Sequence, residues 1–145
     1  MKLTEHFSLA EMTISQTAER KGISNAPTEE ALLNLIRTAE GMEEVRARLG
    51  DRPISISSGY RSPAVNKAVG GAKKSQHLTG EAVDFICPSF GTPRDIVAEL
   101  VDMDYDQLIL EFANNGGGWV HISFSGDNRQ QALVIDENGV REYVG

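Results

Sequence analysis

The stretch Ser75-Gln-His-Leu-Thr-Gly-Glu-Ala-Val-Asp-Phe85 sets the frame. Its first half is a polar turn ending at Thr79-Gly80, and its second half opens a strand, Ala82 to Cys87. Along that strand Val83, Phe85 and Cys87 share one face, while Asp84 shares the other with Ala82 and Ile86. A carboxylate between two apolar neighbours is expected to be partly buried, and a buried carboxylate requires a cation or donors. His77 stands just before this strand.

Downstream, Asp106 to Phe112 and Trp119 to Phe124 alternate in the same way, with Gly116-Gly117-Gly118 between them. In the second of these Val120, Ile122 and Phe124 form the apolar face, so His121 projects with Trp119 and Ser123 from the more polar one. The chain closes with a predicted hairpin over 133–144, turning at Asn138-Gly139.

Upstream, Pro53 to Ser57 reads as a half-buried strand. Ser62-Pro63 is an N-cap followed by a first-turn proline, opening a short helix over 64–69. The strongest helix is 28–49, where Leu32, Leu35, Ile36, Ala39, Met42, Val45 and Leu49 recur at steps of three and four before Gly50. Thr92-Pro93 starts another, burying Ile96, Val97, Leu100 and Val101. Ser8 to Glu11 has capping-box spacing with Phe7 as a staple, and 15–27 is expected to be an irregular wrapping arm. Helices early and strands late predict an α+β fold with a mostly antiparallel sheet in one domain over 1–145.

Composition bounds the chemistry. The net charge of −7 argues against nucleic acid, and no Lys/Arg cluster or aromatic platform offsets it. One cysteine, Cys87, excludes a disulfide framework and a Cys-rich metal site, and reads as a core thiol. No apolar run reaches the roughly 20 residues of a membrane span, so membrane insertion is not expected. The N-terminus shows no apolar signal region, so the chain is expected to stay in the cytoplasm, and a substrate outside the membrane would require another agent to give it access.

Any metal must therefore use His and carboxylates. His77, Asp84 and His121 together make a three-ligand shell, the arrangement of a catalytic zinc that leaves a position for water. By spacing alone they equally suit two hydrogen-bonded structural histidines and an aspartate capping a loop. Glu111 is the remaining group of interest: a glutamate within an apolar strand, on the face of Gln107 and Ile109. If the glycine loop folds back, Glu111 and His121 lie on antiparallel neighbours. The bland reading is an ion pair on the sheet with Arg61.

Four separated segments then fall in order: the opening HFSLAEM with SQTAERKGI, Ser58-Gly-Tyr-Arg-Ser62, Ser75-x-His-x-x-Gly-x-Ala-x-Asp84, and Trp119-Val-His121. Together these resemble the M15 zinc peptidases of peptidoglycan, in particular the small branch found in phages and prophages. The resemblance implies a Hedgehog/DD-peptidase-like fold, with N-terminal helices packed on the sheet. It implies one Zn2+ held by His77, Asp84 and His121. It also implies Arg61 at the substrate carbonyl and developing oxyanion, with Ser75 and Trp119 contributing to the substrate site. Ser75 equally suits a turn, Arg61 a surface ion pair, and Trp119 the core. His6 reads as a structural contact, and Glu81 faces away from Asp84.

In much of that family the catalytic acid stands three residues before the last histidine. Here that position is Gly118, so Glu111 is the candidate proton carrier. The implied activity is cleavage of peptidoglycan stem peptides by a monomer, as an L-alanyl-D-glutamate endopeptidase of the phage lysis type. A D-Ala-D-Ala carboxypeptidase or dipeptidase is the alternative within the enzymes. The alternative outside them is an inactive, zinc-stabilised wall-binding or virion module.

Overall fold

The computed structural model describes residues 1–145. Five helices, α1 (Leu9–Met12), α2 (Gln16–Lys21), α3 (Glu29–Arg48), α4 (Pro63–Ala68) and α5 (Pro93–Leu100), accompany one sheet of six strands. The strands are β1 (Ser55–Ser58), β2 (Ala82–Ile86), β3 (Gln107–Glu111), β4 (Trp119–Ser123), β5 (Gln131–Asp136) and β6 (Gly139–Glu142). Their spatial order is β1-β2-β4-β3-β5-β6. Every neighbouring pair is antiparallel except β3 and β5. The architecture is thus α+β with a mostly antiparallel sheet.

Local chemistry explains the boundaries. Ser8 and Glu11 form the expected capping box, and Thr28 and Ser62 cap α3 and α4. Thr92 and Asp95 form a second capping box on α5. The segment 15–27 is more ordered than expected. Ser15 accepts the Ala18 N–H, and Gly22, with φ +65, closes a helical turn as only a residue at ease in the left-handed region does. Val101 also departs from expectation: α5 ends at Leu100, so Val101 turns outward and is exposed.

One apolar cluster unites the elements. Leu35, Met42 and Val45 of α3 and Ile96, Val97 and Leu100 of α5 bury with Val83, Phe85, Leu108, Leu110, Val120 and Ile122 of the sheet. The sheet residues are one alternation of each central strand, which leaves the other alternation for Asp84, His121 and Glu111. His6 makes the structural contact expected of it, with Nδ1 2.7 Å from Glu43 Oε1 on α3. Cys87 is a buried thiol. No helix is long and apolar enough to cross a membrane.

Candidate metal centre

Sheet register brings the site together. Asp84 on β2 pairs directly with His121 on β4, and Ser58 on β1 pairs with Asp84 from the other side. Ile109 on β3 faces His121, and Glu111 faces Trp119. Glu111 is therefore the diagonal neighbour of His121 on the same face, which long side chains can span. Its Oε1 lies 3.9 Å from His121 Nδ1.

His77 comes from the loop before β2, and that loop is clamped. The His77 carbonyl accepts the Arg61 N–H at 2.9 Å. Ser75 Oγ accepts the His77 N–H at 3.2 Å, so its hydroxyl holds the turn. Gln76 donates to Asp106 at 2.8 Å. Asp106 in turn accepts three bonds from Arg129, through its backbone N–H, Nε and a terminal nitrogen. At the far end Thr38 of α3 donates to the Gly80 carbonyl at 2.7 Å, and Asn34 donates to that of Thr79. Gly80 has φ +81, and a Cβ there would lie 2.7 Å from the Ala31 carbonyl, so the close approach of α3 requires glycine. Glu81 points away, to Arg37 and Thr79.

The donors converge. His77, Asp84 and His121 are all buried, and their ligand atoms lie within 4.8 Å of one another. His77 Nδ1 is 2.7 Å from the Gly59 carbonyl, which only accepts, so Nδ1 carries the proton. His77 Nε2 then presents a lone pair 3.3 Å from Asp84 Oδ1. Two acceptors so close require a cation between them or a second ring proton. His121 Nδ1 lies 2.9 Å from the same oxygen. Two imidazole nitrogens and one carboxylate, already fixed by outer partners, fit the donor set and open position of a catalytic Zn2+.

Electrostatics agree. Burial opposes the Asp84 charge, yet hydrogen bonds with His121 and His77 outweigh it and hold the carboxyl well below the usual range. Glu111 moves the other way. Burial, then the negative charge of Asp84, raises its proton affinity, while His121 and Arg61 pull against the rise. The Trp119 indole N–H leans toward this carboxylate without completing a hydrogen bond. Trp119 is half-buried and its ring lies 5.5 Å from that of Phe112.

Arg61 approaches from the β1 side, with a terminal nitrogen 3.8 Å from Asp84 Oδ2. It is aimed by bonds to Ser58 Oγ and Asn66 Oδ1. Sequence reasoning missed Asn66, Gln76, Asp106 and Arg129. Asn66 follows the Ser62 cap by one helical turn and was legible as an inward position. The other three meet only in the folded chain.

The relatives of the chain bear on the metal. The peptidase M15 family model matches residues 5–123. A zinc D-Ala-D-Ala carboxypeptidase from Streptomyces albus G is 34% identical over 86 residues. That match covers 59% of this chain and 33% of the relative, so the chain spans about a third of the curated protein it resembles. With the family model covering most of its length and a zinc-type donor set at its centre, the chain belongs to the peptidase M15 family.

Proposed function

We propose that this chain is a zinc-dependent peptidase that hydrolyses stem peptides of peptidoglycan. One observation carries the reading: three metal donors converge at one point, with the Glu111 carboxylate and the Arg61 guanidinium on either side. His77, Asp84 and His121 are the residues that would hold the Zn2+. Zinc bound there supplies a Lewis acid that polarises a carbonyl and acidifies water to near neutral pH.

The chain's own residues supply the rest. Glu111 accepts the proton of the attacking water and later delivers it to the departing nitrogen. Its raised proton affinity suits both halves of that transfer. Arg61 donates to the oxyanion as the carbonyl becomes tetrahedral, and its fork, aimed by Ser58 and Asn66, is preorganised for this. Trp119 lines the substrate groove, and Ser75 serves the site through the turn it holds.

The first reading of the bond is L-alanyl-D-glutamate, supported by the likeness of the opening segment to the small phage and prophage branch. In that reading the chain is one monomeric catalytic domain over 1–145, with a Hedgehog/DD-peptidase-like arrangement, released to the wall at lysis. The similarity to a protein named zinc D-Ala-D-Ala carboxypeptidase supports a wall-peptide substrate and a second reading, carboxypeptidase or dipeptidase action. The test is hydrolysis of purified peptidoglycan by wild type and Glu111→Ala, with mass spectrometry of the fragments. Loss of hydrolysis with zinc retained supports the mechanism, and the new fragment ends identify the bond. A wild type that releases nothing favours the inactive wall-binding module.

A further inference from the structure

Beside Arg61 lies a cavity of about 500 Å3, bounded by β1, α2 and α4. Four consecutive residues of β1, Ser55 to Ser58, line it. Consecutive residues point to opposite faces of a strand, so a cavity that meets all four runs along the strand's edge. β1 is the outermost strand of the sheet, and an outer strand presents unpaired N–H and C=O groups. That edge is shaped to receive an extended peptide backbone.

The charge of the cavity is the second observation. The protein carries 21 acidic residues against 14 basic ones, yet no Asp or Glu lines this space. Its charged groups are Arg61, at the metal end, and Arg20 of α2. The arginines at 37, 46, 48, 129 and 141 are each engaged by an acid; Arg20, Arg52 and Arg94 make no ion pair and are exposed, and of these three Arg20 lines the cavity. Gln16 and the serine hydroxyls add neutral donors. An acid-free pocket with an unpaired guanidinium, in a protein of net charge −7, is complementary to a carboxylate.

Resting on the peptidase reading above, we propose that this cavity is a substrate subsite that selects acidic peptides. The peptide backbone pairs along the edge of β1, and Arg20 receives a free carboxylate that flanks the scissile bond. Arg20 is in this account a specificity residue, with no part in the proton transfer or in holding the metal.

The experiment uses zinc-loaded Glu111→Gln protein, in which turnover is blocked. It is titrated calorimetrically with two stem peptides that differ only in whether the glutamate's free carboxylate is ionised or converted to the amide. The ionised peptide is expected to bind about tenfold more tightly, the effect of one charged hydrogen-bonded pair. Adding Arg20→Gln brings the two affinities within about twofold, with zinc content and melting temperature unchanged, and Arg20→Lys retains part of the preference. Equal affinities in the parent, no binding of either peptide, or a preference that survives Arg20→Gln overturns the proposal. Failure of wild type to cut peptidoglycan contradicts the peptidase reading instead. The two failures are separable, because the charge preference is read without turnover.

Discussion

The backbone carbonyl of Glu111 occupies the space that a Cβ on Gly118 would need. Gly118 also has φ +80, which L side chains rarely adopt. The position three residues before His121 is therefore closed to a side chain by the backbone of Glu111, the proposed proton carrier. Gly118→Glu is expected to cost at least about 2 kcal/mol from left-handed strain and overlap, lowering the melting temperature by roughly 5 °C or more. Combined with Glu111→Ala, it leaves hydrolysis of peptidoglycan at the level of Glu111→Ala alone. Recovery of activity in the double variant would show that position 118 can still carry the proton.

Arg61 is held by Ser58 and Asn66 as a fork, not as a point charge. Arg61→Ala is expected to lower kcat by about 100- to 1,000-fold, the usual cost of removing an oxyanion donor. Arg61→Lys recovers only a minor part, because one ammonium does not reproduce two aligned donors. Zinc content, read by elemental analysis, stays at the wild-type level in both. Wild-type kcat in Arg61→Lys would argue for simple charge attraction.

The Gln76–Asp106–Arg129 latch predicts an acid sensitivity that lies outside the reaction. Hydrogen bonds from Arg129 hold the Asp106 carboxyl well below the usual range, against its burial. A carboxylate with a depressed folded-state pKa contributes fully above its unfolded value, near about 4, and loses that contribution as pH falls toward the folded value. Asp106→Asn is expected to lower stability at pH 7 by about 1–3 kcal/mol, between the values for an exposed and a fully buried pair because Arg129 is half exposed. Thermal melts of wild type and variant from pH 7 downward should converge below pH 4. A constant gap across that range would contradict the latch.

Much of this was legible in the sequence, for identifiable reasons. Period-two alternation separated Asp84, His121 and Glu111 from the faces of Val83, Val120 and Leu108 on their strands, and the register then joined those three residues. Helix α3 was readable because twenty residues of apolar period outweigh any local ambiguity. Helix α2 was not, since six residues give too little period, although its Ser15 cap and Gly22 stop were in view. The parallel pairing of β3 with β5 was hidden as well. β4 inserts between β2 and β3, so β5 must return along the free edge of β3, and no local residue announces that. The latch on the His77 loop joins residues 23 and 30 positions apart and depends on the finished fold.

Each metal donor is predicted to be separately necessary. His77→Ala, Asp84→Ala and His121→Ala should each weaken zinc binding by more than about 100-fold, exceeding what loss of an outer partner does. Competition with a chromophoric chelator measures this. Removing zinc from wild type with a chelator should abolish hydrolysis, and one equivalent of Zn2+ should restore it. A single-alanine variant that keeps wild-type zinc affinity would remove that residue from the ligand set.

The most direct measurement is anomalous diffraction at the zinc absorption edge from crystals of the zinc-loaded protein. The account predicts one peak, bonded to His77 Nε2, an Asp84 carboxylate oxygen and His121 Nδ1, at about 2.0–2.2 Å from each. A peak elsewhere in the molecule, or no peak among these three side chains, would contradict it.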